Sequence, residues 1–151
     1  MNNNFDRISA QPVSIEIEIT DGISPQTRRL QGTVSTNTAV SLLYELYEED
    51  YLGLTYNLWI DNEIYLSLEQ GTEMNANDQA KLVKAGYLII RKQDDQEPHI
   101  EFKSGKNPDN WKKLPKDFNS SVERNQYVNR LLRLSFIIED WLREGTNGTK
   151  Y

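Results

Sequence analysis

Cysteine is absent from this chain of 151 residues, and histidine occurs once. The absence of cysteine excludes a disulfide framework and a thiolate metal site, and it fits a reducing compartment. A histidine-rich metal site is excluded as well, and a catalytic triad would have to use His99. No nucleophile-elbow glycine pattern accompanies the nearby Ser104, so we expect a solvent-facing histidine.

Complete catalytic motifs are also missing. Glu101-Phe-Lys103 resembles the second half of a metal-dependent nuclease motif, but no acidic partner stands at a convincing place upstream. The chain has no glycine-rich phosphate loop and no metal-ligand spacing. We therefore predict that it is not an enzyme and has no catalytic, cofactor-binding or metal-binding residues.

Long apolar runs are missing too. The longest, Leu131 to Ile138, is interrupted by Arg133 and is far too short to span a bilayer. No charged-then-apolar segment resembling a signal peptide opens the sequence. These observations predict a cytoplasmic protein without a membrane partner.

The net charge of −6 is unevenly distributed. Residues 1–92 carry 7 Lys/Arg against 13 Asp/Glu, whereas residues 93–151 carry 10 of each. An acidic domain repels phosphate backbones, so nucleic acid is not expected as a partner. A lysine cluster in the second part is interpreted as a solvated, lysine-rich loop. Its members are Lys103, Lys106, Lys112, Lys113 and Lys116.

A strand at the start of the chain has the clearest pattern. Val13 to Thr20 alternates apolar and polar residues without a break, and Asp21-Gly22 ends it with turn chemistry. Leu30 to Val34 resumes the alternation, which predicts a hairpin. N-cap residues at Ser35 to Thr38 then open a helix over Ala39 to Leu52, whose apolar arc can cover one face of the hairpin.

A second hairpin is predicted next. Tyr56 to Ile60 and Glu63 to Leu66 flank Asp61-Asn62, a two-residue turn suited to positive φ. Asn75 to Lys84 is polar and predicts a short helical turn. Ala85 to Lys92 then predicts a buried strand.

This order of elements resembles the ubiquitin-like β-grasp family. The resemblance rests on Asn57-Leu-Trp-Ile-Asp-Asn-Glu63 and on Leu82-Val-Lys-Ala-Gly-Tyr-Leu-Ile-Ile-Arg91, which are similar to that family's central hairpin and closing strand. The most similar members are the small ubiquitin-like proteins of bacterial type VII secretion loci and related multi-component systems. The resemblance implies an α+β fold, with a β-grasp domain over residues 13–92 after a mobile tail at residues 1–12.

The family's conjugated members end in a free diglycine soon after the last strand. Here sixty more residues follow Arg91, and Gly145 and Gly148 are isolated. We therefore expect no conjugation through the C-terminus. A processed, conjugated modifier remains the alternative function.

The remaining chain is predicted to extend the β-grasp domain. Residues 93–118 are interpreted as a linker with one edge strand, His99 to Lys103, and residues 119–151 as a long C-terminal amphipathic helix that ends near Arg143. Apolar residues in this helix repeat at steps of four and three, the spacing of a helix that packs lengthwise on a partner. They are Tyr127, Leu131, Leu134, Ile138 and Trp141.

A second apolar surface is predicted on the strands. Alternation places Trp59, Tyr87 and Ile89 on the face opposite the core, which in ubiquitin-like domains is the partner-binding face. The C-terminal helix could cover that face within one chain, or it could form a homodimer or bind another protein. The sequence therefore predicts a non-catalytic ubiquitin-like adaptor or regulatory subunit of a bacterial multi-protein system, with an unidentified protein partner.

Overall fold

The computed structural model describes residues 11–21, 28–49, 53–69 and 71–140, which form two compact units that divide after Gly71. Each unit is built on a four-stranded sheet. Most of the predicted N-terminal tail and everything after Asp140, including Trp141, Gly145 and Gly148, lie outside the described residues.

The first unit is an antiparallel sheet with one helix. Its strands lie in the order β2-β1-β3-β4, and all three neighbouring pairs are antiparallel. Both predicted hairpins and the helix after the first are confirmed. The elements are β1 (Pro12–Thr20), β2 (Arg28–Ser35), α1 (Thr36–Glu49), β3 (Thr55–Ile60) and β4 (Glu63–Glu69).

The alternation along β1 explains how this unit packs. Ile15, Ile17 and Ile19 are buried, and Val40, Leu43, Tyr44 and Tyr47 of α1 are buried as well. The Ser35 hydroxyl accepts a hydrogen bond from the Thr38 amide at 3.2 Å, as expected for a residue that caps a helix. The turn between β3 and β4 has positive φ at both central residues, Asp61-Asn62, as its composition predicted.

The second unit is a mixed sheet with two helices. Its strands lie in the order β7-β6-β5-β8, in which β5 and β8 are parallel and the other pairs antiparallel. The elements are α2 (Ala76–Lys84), β5 (Leu88–Gln93), β6 (His99–Ser104), β7 (Asn107–Lys113), α3 (Ser121–Leu131) and β8 (Ile137–Glu139).

The two helices of this unit cover opposite faces of its sheet. Ile90 and Ile100 pack with Val128 of α3 on one face. Ile89 and Lys103 are cross-strand partners on the other face, where Lys103 bonds Gln79 of α2. Because side chains alternate along a strand, these two sets point away from each other.

The predicted β-grasp fold is wrong. Its closing strand, observed as β5, pairs with β6 and β8 in the second sheet, whereas the first sheet is completed by its own two hairpins. Residues 93–118, interpreted as a linker with one edge strand, include both β6 and β7. The apolar pattern of a short strand predicts its burial, but it carries no information on which sheet receives it.

The predicted long C-terminal helix is also wrong. α3 ends at Leu131, the chain turns through Leu132 to Leu134, and Phe136 adopts a φ of 66°. Ile137 and Ile138 then add to β5 as a parallel strand, with Leu88 N bonded to Phe136 O at 2.7 Å and Asp140 N to Ile90 O at 3.0 Å. Two adjacent β-branched residues fit a buried strand well, and this tertiary environment overrides the helical spacing.

Candidate functional site

On the side opposite α1, the described part of the first sheet carries exposed and half-buried side chains around the buried Asn57. Cross-strand partners share a face, so the register places Gln31, Glu16 and Trp59 in one row across β2, β1 and β3. Ile64 of β4 continues that row opposite Trp59. We call this surface the Trp59 face. Its members with described side chains are Ser14, Glu16, Glu18, Gln31, Thr33, Asn57, Trp59, Ile64 and Ser67, and in β2 the cross-strand partner of Glu18 is Arg29.

A hydrogen-bond network fixes the side chains of the Trp59 face. Glu18 Oε1 accepts bonds from Asn57 Nδ2 at 3.0 Å and from Trp59 Nε1 at 3.2 Å. Ser67 Oγ donates to Asn57 Oδ1 at 2.6 Å. Gln31 Nε2 donates to Glu16 Oε1 at 3.1 Å. The bond from Trp59 Nε1 to Glu18 holds the indole in one orientation within the sheet.

An open groove of about 810 Å³ lies on the Trp59 face. Trp59 is half-buried, and the neighbouring Ile64 remains 49% exposed. An indole and an isoleucine with polar surroundings are typical of the centre of a protein contact surface. The groove is lined by Ser14, Ile15, Glu16, Gln31, Gly32, Thr33, Trp59, Asp61 and Asn62.

Charge is concentrated in the unit that carries this face. Residues 1–71 contain 3 Lys/Arg against 11 Asp/Glu, whereas residues 72–151 contain 14 against 12. Glu16 and Glu18 lie on the Trp59 face, and the exposed Asp61 lines its groove at the β3–β4 turn. A surface of this sign attracts cationic groups and repels phosphates.

The second unit has a polar cluster on the α2 side of its sheet. Arg91 donates to Glu101 Oε1 through Nε at 2.8 Å, and its Nη2 lies 2.6 Å from the same oxygen. The other carboxylate oxygen, Oε2, lies 3.3 Å from His99 Nε2. Burial alone would raise the pKa of Glu101, yet the bonds from Arg91 and His99 outweigh it and hold that pKa below its ordinary value of 4.5.

His99 is buried, so the expectation of a solvent-facing histidine is wrong. Its Nδ1 lies 3.0 Å from the carbonyl oxygen of Glu97, which can only accept, so Nδ1 carries a proton. Its Nε2 lies 3.3 Å from Glu101 Oε2, so both ring nitrogens have an oxygen partner.

Lys103 is only 4% exposed, so its place in the predicted solvated loop is wrong. Its ammonium donates to Gln79 Oε1 at 2.7 Å and lies 4.8 Å from the centre of the Trp111 ring. The Arg91 guanidinium lies 4.2 Å from the centre of the same ring. An aromatic face and an amide oxygen thus stabilise a buried cation that has no ion pair among the described residues.

Asp140 follows β8, and its pKa is raised. Burial, and then the negative charges of Glu139 and Glu73, raise the pKa of Asp140 from 3.8 to about 6, although Arg91 opposes the shift. Within the described ranges, no group of three or more His, Asp or Glu residues could hold a metal ion. The three helices of these ranges are also too short or too polar to cross a membrane.

The predicted partner-binding residues are distributed over both units. Trp59 lies in the first unit, whereas Tyr87 and Ile89 are buried in the second. Tyr127 and Leu131 lie half-buried on α3. Leu134 is 57% exposed beyond the helix, and Ile138 is buried in β8. Whether these residues bind a partner stays a prediction.

The sequence reasoning did not single out the polar part of the Trp59 face. The signal was present, because Ser14, Glu16 and Glu18 are the polar half of the β1 alternation. Their partners Gln31 and Asn57 depend on strand register, which the alternation alone does not specify. The buried cations Lys103 and Arg124 were missed because charged residues are usually assigned to the surface.

Comparison with known proteins adds no relative. No family model, no curated protein and no solved structure matches the chain.

Proposed function

We propose that this chain is a non-catalytic protein-binding module, an adaptor or regulatory subunit of a multi-protein system, and that the Trp59 face is its contact surface. One observation carries the proposal. A face that spans four strands presents an indole held in place by Glu18, within a unit that has a large excess of negative charge.

The composition of the face supports protein binding. Tryptophan is enriched among the residues that dominate binding energy, especially where neighbouring contacts exclude water. Ile64 adds exposed apolar area next to Trp59, and the polar residues around both are already hydrogen-bonded within the sheet. A partner would therefore bury apolar surface and leave few polar groups without a hydrogen bond.

The polar cluster of the second unit supports a non-catalytic role. Both carboxylate oxygens of Glu101 are engaged, by Arg91 and by His99, and both ring nitrogens of His99 have oxygen partners. Lys103 is enclosed by Gln79 and Trp111. A general base or nucleophile must reach a substrate, and these groups are occupied by one another. The lack of cysteine supports a cytoplasmic location.

Site-specific photo-crosslinking tests the proposal. A photoreactive amino acid replaces Ser67 or Gln31 on the Trp59 face, and Glu45 or Leu42 on the exposed side of α1 serves as the matched control. In cells that naturally contain the protein, we expect one protein to be captured from Ser67 and from Gln31 but not from the α1 positions. Equal capture from both sets, or capture from α1 alone, would contradict the proposal.

A further inference from the structure

We propose that the groove beside Trp59 receives a lysine or arginine side chain from an extended, basic segment of the protein partner. The inference rests on the proposed function and adds the chemistry of the partner. It starts from the arrangement around the indole. Glu16 is the direct cross-strand neighbour of Trp59, and Glu18 holds the indole Nε1.

The exposed turn places one more carboxylate at this groove, because Asp61 lines it. Asp61 forms no ion pair with the described residues. An aromatic ring with carboxylates at its rim attracts a cation through its quadrupole and through their charge. The geometry thus favours a cationic side chain over an apolar one.

Charge decides between the candidate occupants of this face. The first unit of a second copy would bring the same excess, 11 acidic against 3 basic residues, and would be repelled. The second unit of another copy is close to neutral, with 14 basic and 12 acidic residues. A basic polypeptide segment therefore complements the Trp59 face better than a copy of this chain does, and a phosphate-bearing ligand is disfavoured.

In the second sheet of the same chain, two cationic side chains already lie over a tryptophan ring. The Trp111 ring lies 4.2 Å from the Arg91 guanidinium and 4.8 Å from the Lys103 ammonium. No cation of the described residues lies over the ring of Trp59. Trp111 therefore contacts cations of the chain itself, whereas Trp59 lines an open groove.

Peptide titration of the full-length, ¹⁵N-labelled chain tests the inference by NMR. The probe is the capped pentapeptide Lys-Ala-Arg-Ala-Lys, and its neutral analogue replaces each basic residue by norleucine. The chain has three tryptophans, so it gives three indole N–H signals. We expect the basic peptide to shift the Trp59 signal saturably, with the other two unmoved. The neutral analogue should bind at least about tenfold more weakly.

Two double charge-reversal variants distinguish the effect of a local binding site from the effect of the net charge of the chain. Glu16→Lys with Asp61→Lys should weaken peptide binding about tenfold. Glu45→Lys with Glu48→Lys makes the same change in net charge on α1, and its affinity should stay within about twofold of wild type. A loss of similar size in both pairs, or equal binding of the norleucine analogue, would overturn the inference.

The two proposals fail in different ways. If crosslinkers at Ser67 and Gln31 capture a protein but the basic peptide does not shift the Trp59 signal, the proposed contact surface is supported and the proposed cation site is wrong. If the peptide shifts Trp59 selectively but capture occurs only from α1, the Trp59 face is a cation site and the proposed contact surface is wrong.

Discussion

Trp59 and Glu18 are diagonal neighbours on adjacent strands, joined by a 3.2 Å hydrogen bond from the indole Nε1 to the carboxylate Oε1. The same oxygen accepts a bond from Asn57, which in turn accepts one from Ser67. One carboxylate on β1 therefore couples β3 and β4 to the orientation of the half-buried indole. The side chains of the Trp59 face are therefore held in fixed orientations by hydrogen bonds across three strands.

Replacing Glu18 tests this coupling. Glu18→Ala removes the acceptor of two hydrogen bonds, so we expect a loss of about 1–2 kcal/mol in the free energy of unfolding. Hydrogen exchange at the Trp59 indole should also become faster. Urea denaturation and NMR measure the two effects. Glu45→Ala, at an exposed position on α1, is the control, and an equal response of both variants would contradict the network.

Burial of the β1 alternation predicts a large difference between two isoleucines. Ile17 is fully buried, so Ile17→Ala should destabilise the protein by about 2–5 kcal/mol. Ile64 is 49% exposed, so Ile64→Ala should change stability by less than about 1 kcal/mol. Denaturant unfolding compares the two. Similar losses would mean that the assigned faces of the first sheet are wrong.

The end of α3 is tested by two aspartate substitutions. Ile138 is 2% exposed in β8, and Ile138→Asp should cost more than about 3 kcal/mol because it buries an unpaired charge. Leu134 is exposed beyond the helix, and Leu134→Asp should stay within about 0.5 kcal/mol of wild type. A continuous amphipathic helix would give both substitutions comparable effects, so thermal melting of the two variants decides between these structures.

Asp140 predicts a pH-dependent effect with a defined sign. Its pKa rises from 3.8 to about 6 on folding, so the folded state binds more protons between these values and loses stability as the pH rises through about 6. Asp140→Asn removes this penalty. We expect the variant to melt at a higher temperature than wild type at pH 7.5 and to match it near pH 4.

The control for this experiment is Asp95→Asn, which removes one carboxylate from the exposed loop after β5. If Asp140→Asn gave the same difference at pH 4 and at pH 7.5, the carboxyl would not be the group that retains a proton.

The Glu101 cluster predicts the opposite pH dependence. The pKa of Glu101 is lowered on folding, so its contribution to stability is present above 4.5 and is lost as the pH falls below that value. Glu101→Gln should therefore lower the melting temperature at pH 7 and approach wild type near pH 3. A constant difference between those two pH values would contradict the Arg91–Glu101–His99 arrangement.

Local patterns in the sequence predicted local structure well. The unbroken alternation of β1, the Asp61-Asn62 turn and the cap at Ser35 each depend on neighbouring residues, and each is confirmed. These elements form hairpins and a helix next to them in the chain. Their physical requirements are therefore visible within short windows.

Long-range pairing was not predictable in this way. The strand at Leu88–Gln93 could close either sheet by its apolar pattern alone, and only tertiary packing places it between β6 and β8. Ile137 and Ile138 fit a helical seam as well as a strand, because a short apolar run is compatible with both periods. Burial of Lys103 depends on Gln79 and Trp111, which are distant in sequence.

The account depends most on Trp59 being the centre of a protein contact. Titration calorimetry of the crosslinked partner, once purified, measures this with the wild-type chain, with Trp59→Ala and with Leu42→Ala, an exposed apolar residue on α1. We expect Trp59→Ala to weaken binding by at least about 2 kcal/mol, roughly thirtyfold in Kd, while Leu42→Ala matches wild type. An affinity of Trp59→Ala within about twofold of wild type would contradict the account.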